Sequence, residues 1–414
     1  MKRFFSILLC ALMILGLLSG CKKQEENTMT EGERDADEPV TLTVWHDGDE
    51  TIMSTIADYV NEKLSADQIT LTFEKKSGLS DQIKLYGNDA KNGPDFYFYA
   101  HDSLGIFVEM GVLAPITNAL DTEKLSGLIP MTVEAGTYQD TKYLLPVYFE
   151  TLLFMYNKDL WEGEVPDTTE GLYEYMKAHT DVNNSVYAVV NQHSTAYNVA
   201  PVINGFGGYI IDAKGNPGLN EDLTKQAVEY NEKFAELEAD GDYNTVTTLF
   251  NEGKAAAIIG GPWLVPGIKE ANINLGIVSL ADIKLPNGNG LAPYSGVQGI
   301  GVMKHAVEEN KEAVAKVLEA MTDAELGIRL ATKANCAPAN EASYQDETVS
   351  ANEMIFAIKE TAQTAKPMPN IPEMGVMWTP TESLLAAVNK SGADLDEAAN
   401  QYQEEAVAAI ADMK

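Results

Sequence analysis

From Val40 onward the apolar residues switch repeatedly between a period of two and a period near 3.6, which restricts the chain to a layered α/β architecture. Val40 to Trp45 (VTLTVW) alternates as a strand does, and Ile52, Ile56, Tyr59, Val60 and Leu64 then recur at helical spacing. Gln68 to Phe73 alternates again, and Asp95 to Tyr99 is a further short strand after Gly93 and Pro94. Strand, helix, strand in this order predicts parallel pairing, with helices on the faces of a sheet. Further helices are expected at 171–178, where Asp167 and Glu170 form a capping box, and around Leu223, Val228, Phe234 and Leu237. Pro262, after Gly260 and Gly261, marks another helix start. Ala313, Val314, Val317, Leu318 and Met321 mark one more, and Leu395 to Met413 closes the chain. A body of roughly 375 residues suggests two domains.

The N-terminus carries different information. Lys2 and Arg3 precede an apolar run from Phe4 to Leu18, and Leu18, Ser19 and Gly20 lead into Cys21. The run is short for a membrane span. The ending resembles the lipobox of bacterial lipoproteins, which predicts a signal peptide over 1–20, a lipid on Cys21 and attachment to the outer face of the cytoplasmic membrane. Residues 21–39 are charged and nearly devoid of large apolar side chains, so they read as a flexible leash. Of the three cysteines only Cys336 remains for the body, so no disulfide is expected there and Cys336 reads as a small buried hydrophobe.

Charge and missing motifs narrow the function. Asp+Glu number 62 against 29 Lys+Arg, a net charge of −33, and loss of Lys2 and Arg3 makes this more negative. Nucleic acid and anionic lipid headgroups are therefore poor partners. No HxxxH, CxxC, EF-hand or GxxxxGK[ST] pattern occurs, so no metal, no cofactor and no ATP hydrolysis is expected of this chain.

In open α/β sheets, ligands sit in loops at the carboxyl ends of strands. That rule selects Trp45 to Glu50, Tyr97 to Asp102, Tyr148 to Glu150, and Gly260 to Trp263. These segments bring aromatic rings and carboxylates together. A single tryptophan is more often core, but the recurrence suits a sugar: its C–H face stacks on an aromatic plane, and its hydroxyls donate to carboxylates.

From Thr41 onward, the order of motifs resembles bacterial extracellular solute-binding proteins of the maltose/maltodextrin-binding type, the receptors of ABC importers. The segments are VWHDGDE (44–50), GPDFYFYAHDSLG (93–105), LPVYFETLLFMYNKDLW (145–161), NGFGGY (204–209), FNEGKAA (250–256), GGPW (260–263) and MPNIPEMGVMW (368–378). The resemblance implies that Asp49, Asp102 and Glu150 accept sugar hydroxyls, and that Tyr99, Tyr197, Trp263 and Trp378 stack on successive rings. Tyr99 stands where the family often has Trp. Glu50, Ser103 and Glu382 stand where maltodextrin receptors commonly have basic residues. Thr379 replaces an aromatic residue and Thr195 an acid.

The resemblance further implies a two-lobed periplasmic-binding-protein fold of type II, with discontinuous lobes joined by hinge crossovers. The expected lobes are 40–147 with 299–352, and 152–296 with 353–414. Crossovers are expected at Pro146 to Thr151 and at Ser295 to Gly299, with Gly296 and Gly299 in the bending segment. The implied function is a monomeric receptor, not an enzyme, that closes on a neutral oligosaccharide and delivers it to permease subunits. A secreted glycoside hydrolase would need two carboxyls flanking one bond, about 5–5.5 or about 6.5–9.5 Å apart. A sugar-phosphate receptor would want Lys or Arg where Glu50, Ser103 and Glu382 stand.

Overall fold

The structure is a computed structural model and describes residues 39–413; the expected signal over 1–20, the lipidation site Cys21 and the leash residues before Pro39 lie outside the described residues. Two sheets carry the helices. The first has eight strands, with the path Ala337–Pro338, Leu144–Thr151, Tyr294–Met303, Phe96–Ala100, Val40–His46, Ile69–Lys75. Leu113–Ala114 and Lys366–Pro367 pair onto Tyr294–Met303 outside that path. The second sheet has four strands in the order Leu275–Val278, Leu153–Asn157, Ala255–Gly260, Tyr187–Val190.

The expected parallel pairing holds for part of each sheet. Val40–His46 runs parallel to Ile69–Lys75 and to Phe96–Ala100 because a helix or loop crossover separates each pair. Tyr294–Met303 is antiparallel to Phe96–Ala100 and to Leu144–Thr151, and Leu153–Asn157 is antiparallel to both its neighbours. Both sheets are therefore mixed. Tyr294–Met303 enters the first sheet from the second, without a helical crossover beside its partner strands, so nothing imposes a parallel direction on it.

Helix Glu50–Leu64 buries Met53, Ile56, Tyr59, Val60 and Leu64 on one face. They join a core with Leu42, Val44, Phe96, Phe98, Ile300 and Val302 from the first sheet. Under the second sheet, Phe154, Trp161, Leu172, Val189 and Ala257 form another core. A third core joins Val199, Ile203, Met377, Leu384 and Ile410 from three helices, Ala196–Phe206, Met374–Ser391 and Leu395–Asp412. Cys336 is buried and free. No described helix is long and apolar enough to cross a membrane.

Several local expectations are corrected. The helix expected at 171–178 spans Thr169–His179, and its N-cap is Thr168, whose hydroxyl accepts from the Gly171 N–H at 3.2 Å. Asp167 does not cap it, and Glu170 accepts from the Tyr230 hydroxyl instead. The helix at Asp222–Phe234 continues as a wider π turn over Ala235–Ala239. Lys304–Met321 is kinked at Asn310. Tyr148, Phe149 and Glu150 are not a loop: all three lie inside the strand Leu144–Thr151.

The chain leaves the first sheet at Leu152, since Leu153–Asn157 already belongs to the second. It returns along Tyr294–Met303. The two passages are tied together where they meet: the Thr151 hydroxyl donates to the Tyr294 carbonyl at 2.9 Å, and the Ser295 hydroxyl to the Glu150 carbonyl at 3.0 Å. Gly296 and Gly299 lie within this strand, opposite Glu150 and Pro146. A Cβ at Gly299 would fall 2.4 Å from the Leu145 carbonyl oxygen, so this glycine permits close strand approach at a bulge.

Candidate functional site

On the first sheet, Val40–His46 ends at the loop Asp47, Gly48, Asp49, which turns directly into helix Glu50–Leu64. Asp49 is the N-cap of that helix. Its Oδ1 accepts from the main-chain N–H groups of Thr51 at 2.7 Å and Ile52 at 3.3 Å, which leaves Oδ2 as the oxygen available to a ligand. Asp47 beside it is also exposed. Trp45, expected in this loop, instead closes the strand: it is 5% exposed, and its indole N–H donates to Glu74 at 3.1 Å.

Tyr99 and Asp102 come from the next strand end. Phe96–Ala100 leads into a turn at His101–Ser103, where Asp102 is exposed while His101 is wholly buried. Burial raises the Tyr99 phenol above its usual pKa, and Asp47, Asp102 and Asp81 raise it further. These three carboxylates thus lie around one partly exposed ring. Asp47 lies in the segment Trp45 to Glu50 that the strand-end rule selects, though it is not among the contacts the resemblance implies; Asp81, inside helix Leu79–Tyr86, gave no comparable signal in the sequence.

Glu150 lies where the two passages between sheets touch. It pairs across the ladder with Gly296, and its Cγ lies 3.5 Å from the position a Cβ there would take. Burial pushes its carboxyl above the usual glutamate range. Its charge also bears on Tyr148, Cys336 and Tyr197, and Asp49 bears on the first two.

The aromatic side is built on the second sheet and its helices. Tyr197 sits in the first turn of helix Ala196–Phe206, and Trp263 in the short turn Pro262–Leu264 after strand Ala255–Gly260. Their ring centroids are 6.3 Å apart, with planes inclined by 56°. Trp263 keeps 40% of its surface exposed. A Cβ on Gly261 would fall 2.2 Å from the Trp263 ring, so the indole lies back over a backbone only glycine can provide. Trp378, in helix Met374–Ser391, packs partly buried against the same core as Tyr197. Tyr99 stands with the acids on the first sheet, apart from these three rings.

Two of the departures from the expected pattern, Glu50 and Glu382, have partners within the fold. Glu50 lies 3.6 Å from Lys75. Glu382 accepts from the Ala196 N–H at 3.4 Å, which places a carboxylate at the N-terminus of the helix that carries Tyr197. Among the described residues, no group of three or more His, Cys, Asp or Glu side chains is placed to hold a metal ion. What the arrangement supplies is hydrogen-bond acceptors and flat apolar faces.

Comparison with known proteins gives the family. The family described as "Bacterial extracellular solute-binding protein" matches residues 57–357. The maltotriose-binding protein of Pyrococcus abyssi is 29% identical over 373 residues, covering 88% of this chain and 81% of its own. The galactooligosaccharide-binding protein of Bacillus subtilis is 28% identical over 422 residues, covering 98% and 96%. A cyclo/maltodextrin-binding protein solved with maltotetraose superposes with a TM-score of 0.81 at 26% identity, covering 90% of this chain and 98% of that one. The fold is the two-lobed type II architecture of such receptors, and the chain belongs to the bacterial extracellular solute-binding protein family.

Proposed function

We propose that this protein is the extracellular sugar receptor of an ABC importer, capturing a neutral oligosaccharide of the maltodextrin kind and delivering it to the permease subunits. The observation that carries this is the Tyr197–Trp263 ring pair, with its exposed indole, on the lobe opposite Asp49 and Asp102. Glu150 stands between the two sides. A pyranose ring would stack on the aromatic side and donate its hydroxyls to the acids. Asp49, Tyr99, Asp102, Glu150, Tyr197, Trp263 and Trp378 are the proposed contacts. The lobes are 40–147 with 299–352 and 152–296 with 353–414, and a sugar that touches both shifts the population toward the closed form. The body acts as a monomer tethered by lipid on Cys21.

The galactooligosaccharide-binding relative keeps a second class of sugar in view. Calorimetric titration of the leash-free protein with maltotriose, longer maltodextrins and galactooligosaccharides tests the reading. Binding without product formation, with a smaller radius of gyration by scattering, is the expected outcome. Accumulation of hydrolysis products, or no binding across the panel, would end it.

A further inference from the structure

The ladder between Phe96–Ala100 and Tyr294–Met303 stops at the pair Ala100 and Gln298. The next N–H along the returning strand is that of Val297, which is fully buried. A buried main-chain donor must find an acceptor. It finds Nδ1 of His101 at 3.1 Å, and the other ring nitrogen, Nε2, lies 2.8 Å from the Met368 carbonyl oxygen. The imidazole thus takes the place of a missing strand residue. It also reaches the third passage of the chain, which runs from strand Lys366–Pro367 to helix Met374–Ser391.

The two bonds fix the protonation state. The Val297 N–H can only donate, so Nδ1 carries no proton; the Met368 carbonyl can only accept, so Nε2 carries one. Only the neutral Nε2–H tautomer satisfies both. A proton added at Nδ1 would face the Val297 N–H across 3.1 Å, too close for anything to lie between them. Asp102, next in the chain, is the charge that bears directly on this ring, and burial outweighs it, so the imidazole pKa lies below its ordinary value. Of the packed elements, Leu144–Thr151 carries Glu150, the third passage is flanked by Lys366 and Glu373, and Tyr294–Met303 carries only Tyr294 near this point.

We propose that His101 is a positioning residue for lobe closure: its imidazole pins Val297 and Met368 to the first sheet, so that bending is confined to Leu152, to the stretch before Val297 and to the stretch after Met368, and acid releases the pin. This rests on the receptor reading above. It also moves two expected boundaries: the hinge at Ser295 to Gly299 shifts toward the second sheet, because Val297 is held from one side by His101 and Gly299 is packed on Leu145, and the start of the last second-lobe stretch shifts from 353 to beyond Met368.

The test compares the parent with His101→Gln, which keeps one acceptor and one donor but cannot be protonated, and with His101→Leu, which keeps neither. Thermal melts need no sugar. The parent should lose stability as pH falls below the ordinary histidine value of 6.5, because the unfolded chain then binds a proton that the native ring refuses. His101→Gln should lose less. His193, also buried with a lowered pKa, contributes equally to both proteins and cancels. Titration with maltotriose and scattering over a falling pH series should show affinity and compaction declining in the parent once the folded ring takes a proton, with a flatter profile in His101→Gln and weak binding throughout in His101→Leu. Superimposable melts and titrations for parent and His101→Gln would overturn the proposal. Absence of sugar binding by the parent at pH 7.5 would instead strike the receptor reading, and the melts would still decide the state of His101.

Discussion

The Tyr197 hydroxyl donates to the main-chain carbonyl of Tyr294 across 3.4 Å, at the same oxygen that takes the Thr151 hydroxyl at 2.9 Å. A proposed stacking platform is thereby bonded to the strand on which the chain returns to the first sheet. A ligand that fixes the ring also fixes that carbonyl, so occupancy and hinge geometry are joined by one hydrogen bond. Tyr197→Phe should keep the stacking face but blunt the compaction seen on sugar addition, and scattering beside calorimetry would separate the two effects.

Trp263→Ala and Trp378→Ala should each weaken sugar binding by about 1–3 kcal/mol through loss of aromatic contact area. Titration calorimetry reads this directly. Gly261→Ala should reproduce part of the Trp263 loss without touching the ring, because its Cβ would displace the indole. Parent-like binding by both Trp variants would remove the aromatic side from the site.

Glu150→Gln should weaken sugar binding yet raise the melting temperature at neutral pH. Burial raises the folded carboxyl pKa above its model value of 4.5. The neutral form is thus favoured in the fold, and stability is fully present below 4.5 and declines as pH rises through the raised folded value. The amide removes that decline, so melts at pH 7 should separate the two proteins and melts near pH 4 should not. A charge-assisted hydrogen bond is what the sugar would lose.

Gly299→Ala and Gly296→Ala should differ. The first forces a Cβ against the Leu145 carbonyl and should cost about 1–3 kcal/mol of stability, as overpacking does. The second meets only Glu150 at 3.5 Å, so it should fold and alter affinity more than melting temperature. Denaturant titration and calorimetry on the two variants check both halves.

The sequence exposed whatever depends on local periodicity. Val40–His46, Glu50–Leu64 and Leu395–Asp412 appear within a residue or two of their expected ends, because each buries a regular stripe. It misplaced whatever depends on contacts distant in the chain. Glu150 reads as a loop residue because LPVYFET does not alternate; both faces of that strand are covered, so no polar face marks it. Asp167 looked like a cap because Asp and Thr168 are both good capping residues, and only the entry angle of the chain decides between them. The motif residues brought Tyr197 beside Trp263, which no spacing rule gives for positions on a helix and on a turn after a strand. Glu382 and His101 gained roles only in three dimensions, through partners at Ala196, Val297 and Met368.

The returning strand Tyr294–Met303 lies between Leu144–Thr151 and Phe96–Ala100. Val302 pairs with Phe96, roughly 200 residues earlier in the chain. Until that strand exists, the first sheet is two separate pieces with raw edges and no seam, and neither lobe's continuous stretch is a finished unit. Long-range pairing of this kind closes a large loop before it gains its contacts, which slows folding. The topology that lets two lobes share a hinge therefore also places the strand that completes the first sheet late in the chain.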